Sequence, residues 1–181
     1  MILRVPIDQG TWDACLEHAA SAELGGVSRV RGTDRMDALG TDQFIGQVGT
    51  AAWHLYWFGD NRNYRLSRTL QDRTPHLGDG GSDVLGTRLD VKTSLMRKNP
   101  DPWAYNLLVR PAERHPNTTY VLALVPSLAI REVLLVGWVA EHDLPKDPLE
   151  NGPFAGAFRV PATQLTPLLP VAWDWINIEY W

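Results

Sequence analysis

The chain has 181 residues, 44% of them apolar, which suits one globular domain rather than two. Its 17 basic and 21 acidic residues sum to -4, which excludes a histone-like protein that holds nucleic acid by bulk charge. The single cysteine, Cys15, excludes an intramolecular disulfide framework and a cysteine-cluster zinc site. A reducing cytoplasm is the expected compartment, with Cys15 a packing residue. The opening MILRVPIDQG has no basic stretch followed by an apolar one, and the longest apolar run, Tyr120 to Ile130, is broken by Pro126. Neither a signal peptide nor a membrane span is expected.

The charge is unevenly spread. Residues 59 to 131 carry 11 Lys/Arg against 7 Asp/Glu, a net of +4, while residues 1 to 58 carry 4 against 7 and residues 132 to 181 carry 2 against 7. A positive middle third is either a face that meets a polyanion or a set of solvated arginines.

In chain order, Thr11 can cap a helix running to about Leu24, ended by Gly25-Gly26. A loop to Gly40 precedes a stronger helix, capped by Thr41 or Asp42. Its stripe of Phe44, Ile45, Val48, Ala51, Ala52, Leu55 and Trp57-Phe58 ends at Gly59, so it is a core helix, with Trp53 and Trp57 in the core. Asn61 to Asp72 reads as a third helix, with Arg62, Arg65 and Arg68 roughly on one side. Pro75, Gly78, Gly80 and Gly81 then break helix. Short strands follow over 82–85, 87–94, 104–109, 118–125 and 132–139. Leu122, Leu124 and Val133 to Val136 are apolar on both faces, as in a sheet covered on both sides. The last third is punctuated by prolines and glycines: a strand near Phe158 to Val160, a short helix near Ala162 to Leu168 and a strand-like WDWINIEYW. In that terminal run Trp173, Trp175 and Trp181 share a face, as a packed edge strand or dimer contact requires. The whole reads as a single α/β domain over 1–181, helices packed on a sheet.

The segment that carries chemistry is Gly78 to Ser94, GDGGSDVLGTRLDVKTS. In a strand Asp90 and Lys92 project to one face while Leu89 and Val91 project to the other. A hairpin folding at Gly86 would bring Asp83 opposite Asp90. Two close carboxylates repel unless a cation joins them, and hard oxygen ligands suit Mg²⁺ or Mn²⁺. A water oriented by Lys92 would then attack a phosphodiester. The plainer reading of Asp90 and Lys92 is an exposed ion pair, which leaves Asp83 unexplained.

Asp83 followed by Asp90-Val91-Lys92-Thr93-Ser94 resembles the PD-(D/E)XK nuclease superfamily, whose signature is an aspartate, a spacer and (Asp/Glu)-x-Lys. The resemblance extends over about residues 41 to 168, through the Gly46-x-x-Gly49 helix, the TYVLALV and VLLVGWV strands and FRVPATQLTPL. It implies a restriction-endonuclease-like core, a central mixed β-sheet flanked by helices, and an Mg²⁺- or Mn²⁺-dependent nuclease, an endonuclease acting on DNA before RNA. It implies Asp83 and Asp90 as metal ligands joined by the Val91 carbonyl, Lys92 as the residue that positions or activates water, and Thr93 and Ser94 at the scissile phosphate. Relatives often carry a metal-linked Glu or Gln on the preceding helix. Gln47 is the best match here and Gln43 the second, since Thr50 stands where an acid is usual.

Arg88, Arg97 and Lys98, with Arg62, Arg65, Arg68 and Arg73, are candidate phosphate contacts that position nucleic acid without reading its sequence. The five histidines form no pair at metal-ligand spacing. His54 is expected at the core edge or surface, His76 as a phosphate contact, and Asp79 as a turn residue or minor alternative acid. A homodimer is compatible with two-strand cutting. The competing expectation is a non-catalytic module of the same fold that binds nucleic acid or a protein partner.

Overall fold

A computed structural model describes residues 1–24, 36–62, 64, 83–84, 87–97, 99–169 and 177–179. The first strand, β1 (Ile2–Pro6), has Ile2, Leu3 and Val5 fully buried, and no strand was expected from this stretch. Helix α1 (Gln9–Leu24) is capped by Asp8 rather than Thr11: Asp8 accepts from the Thr11 amide at 2.9 Å and from its hydroxyl at 2.5 Å. A carboxylate reaches an orphan amide from one turn away, which moves the cap three residues upstream.

Helix α2 (Met36–Phe58) begins before the expected Thr41 or Asp42. Phe44, Ile45, Val48, Ala51, Ala52 and Leu55 are all buried, as the periodicity predicts, and Tyr56, outside the predicted stripe, is buried with them. Burying each large aliphatic or aromatic side chain contributes about 1.5–3 kcal/mol. Gly59, with φ 73°, ends the helix by donating to the Leu55 carbonyl at 3.0 Å. Trp57 and Phe58, expected in the stripe, are not in the core: they are 59% and 38% exposed, because they lie in the helix's last turn, and Trp57 stacks at 5.8 Å over Trp53, which is buried. His54 is fully buried, between the Phe58 and Tyr64 rings and 3.4 Å from the Asp83 carbonyl, where its nitrogen can reach an acceptor. Of the expected third helix, Arg62 and Tyr64 are helical and Tyr64 is buried; Arg65, Arg68 and Arg73 lie outside the described residues.

The remaining strands are β2 (Leu89–Leu95), β3 (Asn106–Val109), β4 (Thr119–Val125), β5 (Glu132–Ala140), β6 (Phe158–Pro161) and β7 (Asn177–Glu179). They form a five-stranded mixed sheet in the order β2-β4-β5-β1-β7 and a two-stranded antiparallel pair, β3-β6. β2 runs parallel to β4; the β4-β5, β5-β1 and β1-β7 pairs are antiparallel. Alternation along β4 sends Val121, Ala123 and Val125 to the helices and Tyr120, Leu122 and Leu124 to the small sheet, so both faces are covered. The layers are therefore helices, five-stranded sheet, two-stranded sheet. Residues 162–164 make a single 3₁₀ turn instead of a helix to Leu168, because Thr166 instead exchanges both backbone hydrogen bonds with Trp138 at 2.9 Å. No described helix is long and apolar enough to cross a membrane.

Residues 83 and 84 form a bend rather than the strand expected over 82–85. The Asp83 amide donates to the Leu89 carbonyl at 2.7 Å, and its carboxylate replaces the next backbone acceptor.

Candidate functional site

The site is built on β2, whose only described strand partner is β4. Lys92 pairs in register with Leu122 and Asp90 with Tyr120, so both face the small sheet, whereas Val91 packs into the helix-side core. The expected shared face of Asp90 and Lys92 is observed. The Lys92 Nζ lies 2.8 Å from Asp90 Oδ2 and 3.0 Å from Glu113 Oε2. Asp90 is 8% exposed, so a charged carboxylate there depends on its partners. Burial pulls the Lys92 ammonium down, but Asp90 and then Glu113 outweigh it, leaving Lys92 above its ordinary value and cationic at neutral pH.

Glu113 escapes the sequence reading. It ends a 3₁₀ turn, Pro111–Glu113, in which its carboxylate reaches back to the Arg110 amide at 3.2 Å. The motif Arg-Pro-Ala-Glu signals such a turn, since proline suits a first turn and an acid three residues after the cap closes it. Its place over Lys92 is decided by Tyr120. That buried hydroxyl donates to the Glu113 carbonyl and accepts from the His115 amide, both at 2.9 Å. Burial raises the Tyr120 phenol above its ordinary value, so it remains a donor.

Asp83 stands at the outer edge of β2. Its Oδ2 accepts from the Val91 amide at 2.7 Å, between the residues carrying the second aspartate and the lysine. In a strand one residue's N–H and C=O point to the same edge, so the Val91 carbonyl also faces outward, on the side where Asp83 lies. A divalent cation of the Mg²⁺ type takes one or two carboxylates and completes its shell with water and phosphate oxygens, and the oxygens here that could serve one are those of Asp83, Asp90 and the Val91 carbonyl. Among the described residues no group of three or more His, Cys, Asp or Glu side chains is placed to hold a metal ion. Gln47 has its amide oxygen 3.1 Å from the Tyr64 hydroxyl, in a polar seam with Cys15, whose sulfur is 3.3 Å from that hydroxyl. Gln43 is half-buried near the start of the described α2 side chains.

Thr93 and Ser94 part company. Ser94 shares the face of Lys92, while Thr93 points to α2 with its hydroxyl buried against Gly49. The expected phosphate contact thus fails for the Thr93 hydroxyl, because strand alternation turns it inward. Of the Gly46-x-x-Gly49 pair, only Gly49 makes the close approach: an added Cβ would lie 2.8 Å from the Thr93 Cβ and Cγ2, whereas at Gly46 it would meet nothing within 4 Å.

Lys92 and Ser94 line an open cleft of about 790 Å³ between β2, β3 and the loop preceding β6. Arg97 also lines it, 57% exposed and 4.0 Å from Asp42, as does Arg110, 79% exposed. Arg88 lies elsewhere, donating to the Pro116 carbonyl at 3.0 Å. Lys98, His76, Asp79, Trp173, Trp175 and Trp181 lie outside the described residues. No protein-family model, curated protein or solved structure matches the chain.

Proposed function

We propose that this protein is a metal-dependent nuclease with a restriction-endonuclease-like core, hydrolysing phosphodiester bonds of nucleic acid, with DNA the first substrate class. The observation that carries this reading is the docking of the Asp83 carboxylate on the Val91 amide, which sets one aspartate beside a strand bearing Asp90 and Lys92. An ordinary surface ion pair would account for Asp90 and Lys92, and edge-strand hydrogen bonding for Asp83; the nuclease reading is supported by all three carrying their charges to one short stretch of β2.

Asp83 and Asp90, with the Val91 carbonyl, would hold Mg²⁺ or Mn²⁺; Gln47, the helix candidate, has its amide oxygen on the Tyr64 hydroxyl. When bound, the ion would supply positive charge at the scissile phosphate and lower the pKa of a water it carries, the water's proton passing to bulk solvent on attack and the leaving oxygen taking one from it. Lys92, cationic and facing the cleft, hydrogen-bonds the attacking water or a phosphate oxygen and orients it. It is a donor at neutral pH and does not accept the proton. Glu113 and Asp90 together fix the ammonium's direction. Ser94, Arg97 and Arg110 offer donors to flanking phosphates along the cleft.

The test is cleavage of supercoiled plasmid, linear duplex, single-stranded DNA and RNA with Mg²⁺, Mn²⁺ or EDTA. Wild type should cut only with metal, and Asp90→Asn and Lys92→Ala should each lose on the order of 10²-fold or more in rate, with circular dichroism unchanged. Cutting retained in both variants would remove the mechanism. A second reading, a non-catalytic module of the same fold, is favoured by the closed Asp90-Lys92-Glu113 arrangement and the absence of a three-ligand metal group among the described residues. Calorimetry separates the two: no heat with millimolar Mn²⁺ supports the module.

A further inference from the structure

Phe154 is 55% exposed and lines the same cleft as Lys92. Its exposure is built into the backbone. Gly152 to Ala155 forms a turn closed by the Ala155 amide on the Gly152 carbonyl at 3.1 Å, with Pro153 fixing the second position. The flanking Gly152 and Gly156 both have positive φ, 94° and 86°, which glycine adopts without strain. Leu149 locks the base of the loop, donating to Ala157 at 2.9 Å and accepting from Gly156 at 2.7 Å. A large apolar ring is thus held out on a short, tied turn instead of folding back into the core.

Around it the cleft wall carries both signs: Lys92 is held by Asp90 and Glu113, while Arg97 and Arg110, 57% and 79% exposed, lie 4.0 Å from Asp42 and 3.7 Å from Glu113 and are the wall's solvent-facing cations. An exposed aromatic ring and two solvent-facing guanidinium groups in one cleft match a base and its neighbouring phosphates. A volume of about 790 Å³ lies in the range of small-ligand sites, roughly 300–1,000 Å³. It admits a nucleotide or two, whereas duplex bases are already stacked on both sides.

We infer that Phe154 is a stacking platform for an unpaired base of single-stranded nucleic acid, with Arg97 and Arg110 holding the adjacent phosphates. This rests on the nuclease reading and narrows its substrate to single strands, flaps or frayed ends.

The test is binding in EDTA, read by anisotropy of a fluorescein-labelled oligothymidylate and of a matched duplex. Wild type should prefer the single strand. Phe154→Ala should weaken that binding by about fivefold or more, and Phe154→Trp should restore it. Arg110→Ala should lower the slope of log affinity against log salt by about 0.7. A single-strand affinity unchanged in Phe154→Ala, or a duplex bound as tightly with the same loss, overturns the inference. Binding of neither strand form also overturns it. The plasmid assay decides the nuclease reading separately: metal-dependent cutting with no Phe154 dependence of binding leaves the nuclease standing and overturns the inference, whereas no cutting with Phe154-dependent single-strand binding removes the nuclease and leaves the platform on a non-catalytic module.

Discussion

Lys92 sits where two opposing effects on an ammonium meet, and the carboxylates win. Its folded pKa lies above the ordinary lysine value of about 10.4. The stability it contributes is therefore fully present below that value and is lost only as pH rises through the folded pKa. In EDTA the urea midpoint should show no Lys92 titration between about pH 7 and 9; a loss of stability in that window that vanishes in Lys92→Arg would contradict this. Glu113→Gln removes one partner of a half-exposed pair, so the stability loss should be small, about 0.5–1 kcal/mol by urea unfolding. Tyr120→Phe should cost more, about 1–3 kcal/mol, because it leaves the Glu113 carbonyl and His115 amide without their partner.

At the scale of elements, the contact between α2 and β2 governs how the site is presented. Gly49 lets the helix approach the strand closely enough to bury the Thr93 hydroxyl. Gly49→Ala should therefore destabilise by about 1–3 kcal/mol through overpacking, although alanine is the better helix former. Gly46→Ala, with open space around it, should instead be neutral or stabilising. The contrast between the two glycines is read directly from the midpoints of denaturant titrations. Asp83→Ala removes the acceptor that serves β2's outer edge in place of a neighbouring strand, and should cost about 1–3 kcal/mol as well as activity. Asp83→Asn keeps an acceptor for Val91, so it should recover stability without recovering cleavage.

For the whole molecule, the unexpected strand β1 is the most consequential element. It lies between β5 and β7 inside the sheet, joined to β5 from Leu3 against Leu135 to Pro6 against Glu132. Ile2, Leu3 and Val5 contribute to both cores, the first to the small-sheet side and the others to the helix side. Deletion of residues 1–6 should abolish cooperative thermal unfolding, measured by circular dichroism, although the stretch contains none of the proposed site residues. A melt that stays cooperative would show that the sheet closes without β1.

Local sequence determined a good deal. Apolar alternation and β-branched runs located β2, β4, β5 and β6 to within a residue or two, and the α2 stripe identified its buried face, because burial periodicity is written residue by residue. The D-x-K spacing placed Asp90 and Lys92 together for the same reason. β1 was missed because ILRVP is too short to show a period against the proline and aspartate that follow it. Glu113 and Phe154 were missed because their chemistry depends on neighbours distant in sequence. Glu113 reaches Lys92 through Tyr120, and Phe154 faces the cleft only when the loop before β6 is packed beside β2 and β3. Sequence by itself fixes which side chains share a strand face or helix stripe; the fold alone decides which faces meet, since those contacts are set by packing between segments and not by local period.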